Sequence, residues 1–186
     1  MNGSLGLRIS YISHPGTIDR EKETMESPLN QDEITVGKLP KGITLASEAM
    51  GNKVWNVLGH TYYSKVESAS SFAWLSFDPP TTGVPPHIHP KQDEHIYVLE
   101  GQYTLYLDGE WTTAGPGDTV RMPMNIPHAY FNRSEDAAKA LFWVSPSGRL
   151  AQLFDQLNNL DDPEEVVRRS ALHDVDFLPP GSVPGV

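Results

Sequence analysis

Short apolar runs separated by turn residues dominate the sequence between residues 53 and 145. Runs such as SFAWLSF (71–77), EHIYVLEG (94–101) and QYTLYLDG (102–109) each end in or lead into aspartate, glycine or proline. Asp108-Gly109 is a strong signal for a tight hairpin, and the stretch GPGD at 115–118 is a further turn signal. Strands with a turn about every eight to twelve residues are typical of an antiparallel sandwich or barrel. The sequence therefore predicts an all-β fold.

Other segments complete this prediction. The further candidate strands are EITVGKLP (33–40), KVWNVLGHTYY (53–63), EWTTA (110–114), DTVRMP (118–123), HAYFNR (128–133) and KALFWVS (139–145). Residues 14–33 are polar and charged, which predicts an N-terminal arm over residues 1–40 ahead of a β-barrel over residues 41–147.

The last forty residues change to a helical period. Leu150, Leu153, Phe154 and Leu157 recur at helical spacing in residues 148–186. A second helix is predicted to begin after Asp162 as N-cap, with proline and two glutamates in its first turn. We expect this helical tail to pack on the outside of the barrel in a structural role.

Composition and charge exclude several classes of protein. With 186 residues, 38% hydrophobic and 20% charged, the chain is globular and suits one domain. A net charge of −10 disfavours a nucleic-acid partner, because binding phosphates needs a positive face. The absence of cysteine excludes disulfides and thiolate metal ligands. No long apolar run indicates a signal peptide or membrane span, so a soluble, cytoplasmic protein is expected.

A histidine cluster stands out in PPHIHPKQDEHIYVLEG, residues 85–101. His87 and His89 are two residues apart, so on a strand both imidazoles point to one face. Residues 90–93 supply a turn, after which Glu94 begins the next strand and can face the same interior. This makes three candidate metal ligands. The strand period alone does not predict a fourth ligand, because it does not show that His128 lies near these three side chains.

The spacing of these residues resembles the first motif of the cupin superfamily. Four residues separate His89 from Glu94, and six more lead to Gly101. The motif's leading glycine fits less well, because only three residues separate Gly83 from His87 where the family has five.

The second cupin motif is also present. Gly117 is followed at the family's spacing by Pro123, His128 and Asn132. Asn125 replaces the motif's middle glycine, a mild departure because asparagine tolerates the left-handed backbone conformation. The resemblance covers roughly residues 50–147.

The resemblance implies a cupin-type antiparallel β-barrel, or jelly roll, with one divalent metal ion inside it. The ligands would be His87, His89, Glu94 and His128. Three imidazoles and one carboxylate suit Fe(II), Mn(II), Ni(II), Co(II) or Zn(II), and the sequence does not choose among them. Such a site leaves one or two positions for water, dioxygen or substrate.

Aromatic residues are dense in the strands that flank the motifs. Most are ordinary core residues, but a wall of apolar and aromatic side chains around a metal is typical of a small-molecule pocket. Residues predicted to line it are Phe72, Trp74, Tyr130 and Phe142. His14, His60, His95 and His173 are predicted to have surface or packing roles, with His95 facing away from Glu94 by strand period.

Within the superfamily the chain resembles the single-domain, quercetin-2,3-dioxygenase-like branch. The resemblance implies a metal-dependent dioxygenase that acts on a phenolic or enolic compound such as a flavonol or polyketide, with Glu94 as ligand and proton acceptor. Two alternatives stay open: a non-redox cyclase, isomerase or decarboxylase, and a non-catalytic small-molecule-binding cupin. A homodimer is the expected assembly, and residues 1–40 could serve as an exchanged arm.

Overall fold

The structure is a computed structural model that describes residues 39–185. The predicted arm and the candidate strand at 33–40 lie outside these residues, apart from residues 39–40, which belong to no strand or helix. The strands are β1 (Val54–Val57), β2 (His60–Glu67), β3 (Phe72–Asp78), β4 (Thr82–Ile88), β5 (Asp93–Glu100), β6 (Tyr103–Leu107), β7 (Glu110–Ala114), β8 (Thr119–Met122), β9 (His128–Asn132), β10 (Ala138–Ser145) and β11 (Asp176–Phe177). The helices are α1 (Leu150–Leu157) and α2 (Pro163–Ala171).

Two antiparallel sheets form the fold. One has six strands in the order β1-β2-β3-β10-β5-β8, and the other has five in the order β11-β4-β9-β6-β7. The predicted all-β, antiparallel architecture is confirmed. Because consecutive residues of a strand face opposite sides, each sheet turns alternate side chains towards the space between the sheets. On β5 these are Glu94, Ile96 and Val98, all at most 3% exposed.

Turns lie where the sequence predicts them, with one strand divided in two. Asp108 and Gly109 have φ values of 45° and 97° and connect β6 to β7, as a tight hairpin requires. The prediction that KVWNVLGHTYY forms a single strand is wrong. Leu58 and Gly59, with φ values of 46° and 91°, reverse the chain inside it, and β1 and β2 pair as a hairpin.

The strand that carries the first histidine is irregular. The pairing of β4 with β9 shifts register between Val84 and His87. The two intervening residues, Pro85 and Pro86, have no N–H to donate to a ladder, so the regular pairing is interrupted here. Beyond the shift, His87 pairs with His128 across the sheet. The second motif's turn also fits its sequence, because Asn125 has a φ of 65°.

The tail packs differently from our prediction. The helical period predicts α1 correctly, but its apolar face, with Leu150, Leu153 and Phe154, belongs to the main core and lines a cavity. The tail therefore has more than the purely structural role that we expected, because it also forms part of the cavity wall. After α2, the short strand β11 pairs with β4, which places Phe177 opposite His87.

The second helix begins as predicted. The side chain of Asp162 accepts hydrogen bonds from the backbone N–H groups of Glu164 and Glu165, so it caps α2, and Pro163 occupies the first turn. The domain bounds at residues 40 and 147 stay predictions. Within residues 39–185, no helix has the length and apolarity needed to cross a membrane.

Candidate metal centre

Both sheets contribute to one cluster of metal-binding side chains. His87 lies on β4 and His128 opens β9 in the five-stranded sheet, whereas Glu94 lies on β5 in the six-stranded sheet. His89 follows β4 directly, and the turn after it reverses the chain into β5. All four side chains are buried, with at most 3% of each residue exposed.

The ligand atoms of the cluster converge. One atom from each of the four residues lies within 4.8 Å of the others. Oε2 of Glu94 is 3.2 Å from Nε2 of His89, 3.2 Å from Nε2 of His128 and 3.9 Å from Nε2 of His87. The structure thus brings together all four residues that the cupin resemblance selects.

The other ring nitrogen of each histidine has a partner that fixes the ring. Nδ1 of His87 donates to the carbonyl of Pro85, and Nδ1 of His128 donates to the carbonyl of Ile126, both at 2.8 Å. Nδ1 of His89 is 3.2 Å from Oε1 of Gln92. A donating Nδ1 leaves Nε2 as the nitrogen that faces the cluster, the arrangement found around metal-bound histidines.

Gln92 is a positioning residue that the sequence analysis missed. Its side chain is buried, and its amide nitrogen donates to the carbonyls of Pro146 and Ser147. These contacts fix the orientation of the amide, so that its oxygen faces His89. Pro146 and Ser147 lie more than fifty positions from Gln92 in the sequence. No local sequence pattern around Gln92 therefore predicts this role.

The electrostatics of the cluster favour an ionised carboxylate. Burial alone would raise the pKa of Glu94, but the charge of His89 and hydrogen bonds from the imidazoles outweigh it and hold that pKa well below its usual value. Burial would likewise lower the pKa of His89, yet the adjacent Glu94 carboxylate raises it. Burial, with the charge of His128, lowers the pKa of His87 to about 4.

These observations fit a divalent metal ion. The four buried polar groups lie within coordination reach of one point, where a cation would offset the cost of burying the Glu94 carboxylate. Three neutral imidazole nitrogens and a carboxylate are ligands for a first-row transition metal. The cluster therefore could bind a metal, and its donor atoms are oriented for that purpose.

A cavity extends from the cluster. His87, His89 and Glu94 form part of its wall, and the remainder is mainly apolar and aromatic. Trp74 and Tyr130, both predicted to line the pocket, do so. The tail also contributes to the wall, with Leu150, Leu153, Phe154, Leu157, Val166, Val175 and Phe177.

Two of the predicted pocket residues lie elsewhere. Phe72 and Phe142 do not line this cavity, and both are fully buried. Their rings stack against Trp74, with centroids 5.2 and 5.4 Å from its ring. Alternation places these side chains on the inner face, but it does not indicate how far each lies from the cavity, and Trp74 occupies the wall in their place.

Histidines outside the cluster differ in their surroundings. His95 stacks on Trp143 at 4.9 Å and takes no part in the cluster, in accord with its predicted outward orientation. His173 is buried, and its Nδ1 donates to the carbonyl of Arg169. His60, for which we predict a surface or packing role, is buried and stacks on Tyr62, and it is also one of the residues that line the cavity. His14 lies outside the described residues.

Comparison with known proteins identifies the class. Residues 73–144 match a family model described as a cupin domain. This match, the two antiparallel sheets and the buried three-histidine, one-glutamate cluster agree, so residues 73–144 form a cupin-type domain.

Particular relatives are similar over part of the chain. Polyketide synthase CurC of Streptomyces cyaneus is 30% identical over 81 residues, which is 44% of this chain and 53% of that protein. Quercetin 2,3-dioxygenase of Bacillus subtilis (strain 168) is 33% identical over 81 residues, 44% of this chain and 23% of that protein. The chain thus spans about half the length of the first relative and less of the second.

Among solved structures, KdgF from Halomonas sp. has the same fold. The superposition gives a TM-score of 0.51 with 19% sequence identity, and it covers 57% of this chain and 94% of that one.

Proposed function

We propose that this protein is a metal-dependent dioxygenase that acts on a phenolic or enolic small molecule. The observation that carries the proposal is the opening of a buried three-histidine, one-glutamate cluster into an aromatic cavity. A planar, largely apolar compound with an oxygen substituent suits such a cavity. The names of two relatives, a quercetin dioxygenase and a polyketide synthase, support this substrate class.

The residues of the cluster would have two roles, metal binding and proton transfer. His87, His89, Glu94 and His128 would hold the ion. When bound, the ion would supply Lewis-acid polarisation of a substrate oxygen and, in a redox-active form, a route for electrons to dioxygen. Glu94, held ionised inside the barrel, would accept the proton of a substrate hydroxyl.

Two tyrosines of the cavity wall would orient the substrate. The hydroxyls of Tyr62 and Tyr130 are 3.4 Å apart. Burial, together with the negative charge of nearby carboxylates, raises the pKa of both tyrosines well above the usual value, so both stay protonated near neutral pH. One hydroxyl donates to the other, and the second O–H is available as a hydrogen-bond donor to a substrate oxygen.

Oxygen uptake tests the proposal. Protein loaded in turn with Fe(II), Mn(II), Ni(II), Co(II) or Zn(II) is mixed with a flavonol or a phenolic polyketide in an oxygen electrode. We expect uptake that requires both a redox-active metal and the phenolic compound. Glu94→Gln should lower the rate by about 10²- to 10⁴-fold, because the amide cannot accept a proton. His95→Gln, on the outer face of the same strand, is the matched control and should keep the wild-type rate.

Other outcomes would assign another function. Product formation without oxygen uptake would replace the dioxygenase with a non-redox cyclase, isomerase or decarboxylase. Binding without any product would indicate a non-catalytic small-molecule-binding cupin.

A further inference from the structure

His60 forms a buried pair with Asp78 on the six-stranded sheet. His60 is the first residue of β2 and is 2% exposed, and Asp78, the last residue of β3, is 1% exposed. Nδ1 of His60 lies 2.5 Å from Oδ1 of Asp78. The pair belongs to strands other than those that carry the metal cluster.

The surroundings of Asp78 fix the direction of this hydrogen bond. Its carboxylate also accepts hydrogen bonds from the hydroxyl of Ser76, at 2.6 Å, and from the hydroxyl of Tyr103. A carboxylate surrounded by donors acts as an acceptor, so Nδ1 of His60 carries the hydrogen. In the neutral ring, Nε2 then presents a lone pair.

That second nitrogen has no partner among the described residues. Buried side-chain nitrogen and oxygen atoms without a hydrogen-bond partner are rare in proteins. Among residues 39–185 they are Nε2 of His60, Oγ of Ser64, Nε1 of Trp74 and Nδ1 of His95. His60 and Trp74 are both among the residues that line the cavity. Two residues of the cavity wall thus each carry a ring nitrogen without a hydrogen-bond partner, an acceptor on His60 and a donor on Trp74.

The tyrosine pair connects this region with the metal cluster. The ring of His60 stacks on Tyr62 at 5.7 Å and meets the edge of Tyr130 at 6.4 Å. The charges of both Asp78 and Glu94 contribute, after burial, to the raised pKa of each tyrosine. His60 and the cluster residues His87 and Glu94 line the same cavity, so one ligand there could contact both the ion and His60.

We propose that His60, supported by Asp78, binds a hydroxyl group of the substrate and accepts its proton. This inference rests on the proposed function and adds a second contact for the same phenolic or enolic compound. In the step, the O–H bond of the substrate breaks and an N–H bond forms at Nε2. The electron pair stays on the substrate oxygen, and the Asp78 carboxylate stabilises the imidazolium. The substrate therefore carries two oxygens, one for the ion and a hydroxyl for His60.

Two substitutions separate the parts of the pair. In His60→Asn the amide nitrogen can take the place of Nδ1 and keep the bond to Asp78, while the Nε2 acceptor is lost. Asp78→Asn keeps the shape but allows the amide to donate to Nδ1, which turns Nε2 into a donor. His95→Asn is the matched control, since His95 also has an unpaired ring nitrogen but stacks on Trp143 away from the cavity wall.

Binding of quercetin to the zinc-loaded protein tests the proposal without turnover, because zinc has no redox chemistry. The absorption spectrum of the flavonol reports both its affinity and its ionisation. We expect wild-type protein and His95→Asn to bind quercetin ionised at a pH at which free quercetin is neutral. His60→Asn should retain its zinc, bind about tenfold more weakly and leave the bound flavonol less ionised. Unchanged affinity and ionisation in His60→Asn would overturn the proposal.

A measurement without any ligand keeps the test independent of the variants' stability. In ¹⁵N spectra of the zinc-loaded wild-type protein near neutral pH, we expect the His60 ring to carry hydrogen on Nδ1 and none on Nε2. A hydrogen on Nε2 would overturn the proposal.

The two proposals can fail separately. Ionised quercetin at His60 without oxygen uptake by any metal form would remove the dioxygenase and leave the His60 assignment standing. Failure of wild-type protein to bind quercetin or a phenolic polyketide would overturn both.

Discussion

Glu94 is the residue on which the electrostatics of the cluster depend. A buried carboxylate is strongly disfavoured unless cations or hydrogen-bond donors surround it. Here the imidazoles of His89 and His128 approach its Oε2 to 3.2 Å. Without an ion, the raised pKa of His89 makes that imidazole the cation that balances Glu94. A divalent ion would replace this proton with a larger charge at the same place.

Loss of one imidazole should therefore weaken metal binding more than folding. We expect His89→Ala to lower the metal content sharply while the far-ultraviolet circular dichroism of the barrel is retained, because His89 supplies a ligand and is not part of the hydrophobic core. Elemental analysis of protein purified without chelators or nickel resin measures the effect. His95→Ala, one position after Glu94, should keep its metal, and a wild-type metal content in His89→Ala would contradict the ligand assignment.

The metal-binding residues of the cluster are predictable from the sequence, but the other polar residues around the cavity are not. The pair His87-x-His89 and the distance to Glu94 are local patterns, and strand alternation correctly places Glu94, Ile96 and Val98 inside. His60 gives no such signal, because its partner Asp78 comes from the adjacent strand and its position on the cavity follows from the packing of both sheets.

At the scale of elements, helix α1 both packs in the hydrophobic core and forms part of the cavity wall. Phe154 meets the rings of Trp55, Tyr62, Phe72 and Trp74 with centroids 5.1 to 5.5 Å apart. It also lines the cavity. The aromatic cluster of the barrel is thus completed by a residue from outside the β-sheets.

Truncation of this side chain should destabilise the protein. We expect Phe154→Ala to lower the free energy of unfolding by about 3–5 kcal/mol, because it removes a large buried ring and leaves a cavity among aromatic side chains. Urea denaturation followed by tryptophan fluorescence measures the change. Leu172→Ala is the control, since Leu172 is 56% exposed and its loss should change stability by less than about 0.5 kcal/mol. Equal effects of the two variants would contradict the packing role of α1.

The sequence predicts the helices and strands better than it predicts the surfaces against which they pack. The spacing of Leu150, Leu153, Phe154 and Leu157 predicts a helix with one apolar face, which the structure contains. Periodicity cannot say against what that face packs, because any apolar surface of the barrel would satisfy it. Similarly, the turn at Leu58-Gly59 interrupts a run of strand-forming residues, and Leu58 gives no warning of its positive φ.

For the whole molecule, binding of a metal ion by the cluster would be coupled to folding. A ligand that binds only the folded state stabilises it, by about 2.7 kcal/mol at a free concentration about 100 times Kd. We expect chelation at neutral pH to lower the free energy of unfolding by an amount of this order, as measured by urea denaturation with and without metal.

The same coupling sets the pH dependence. The raised pKa of His89 means that its proton competes with the ion from a pH above 6.5 downwards, while the lowered pKa of His87 keeps that ring neutral until about pH 4. The apparent metal affinity should therefore fall by about tenfold for each pH unit in this window. The stabilisation by metal should shrink in step. A metal affinity that is constant between pH 7 and about 5 would contradict the assignment of His89 as a ligand.

Assembly belongs to this scale too. A homodimer, with residues 1–40 as an exchanged arm, stays a prediction, as does a cytoplasmic location. The net charge of −10 disfavours association with nucleic acid or with an anionic surface.

The pairing of β11 with β4 has a practical consequence for anyone who trims the protein to its recognisable domain. The conserved-domain match ends at residue 144, yet the chain beyond it returns to lie alongside the first ligand strand and sets Phe177 5.4 Å from the ring of His87. A fragment cut at the domain boundary would retain every proposed ligand but lose one side of its binding chamber. Such a fragment would be a poor surrogate in a screen for substrates.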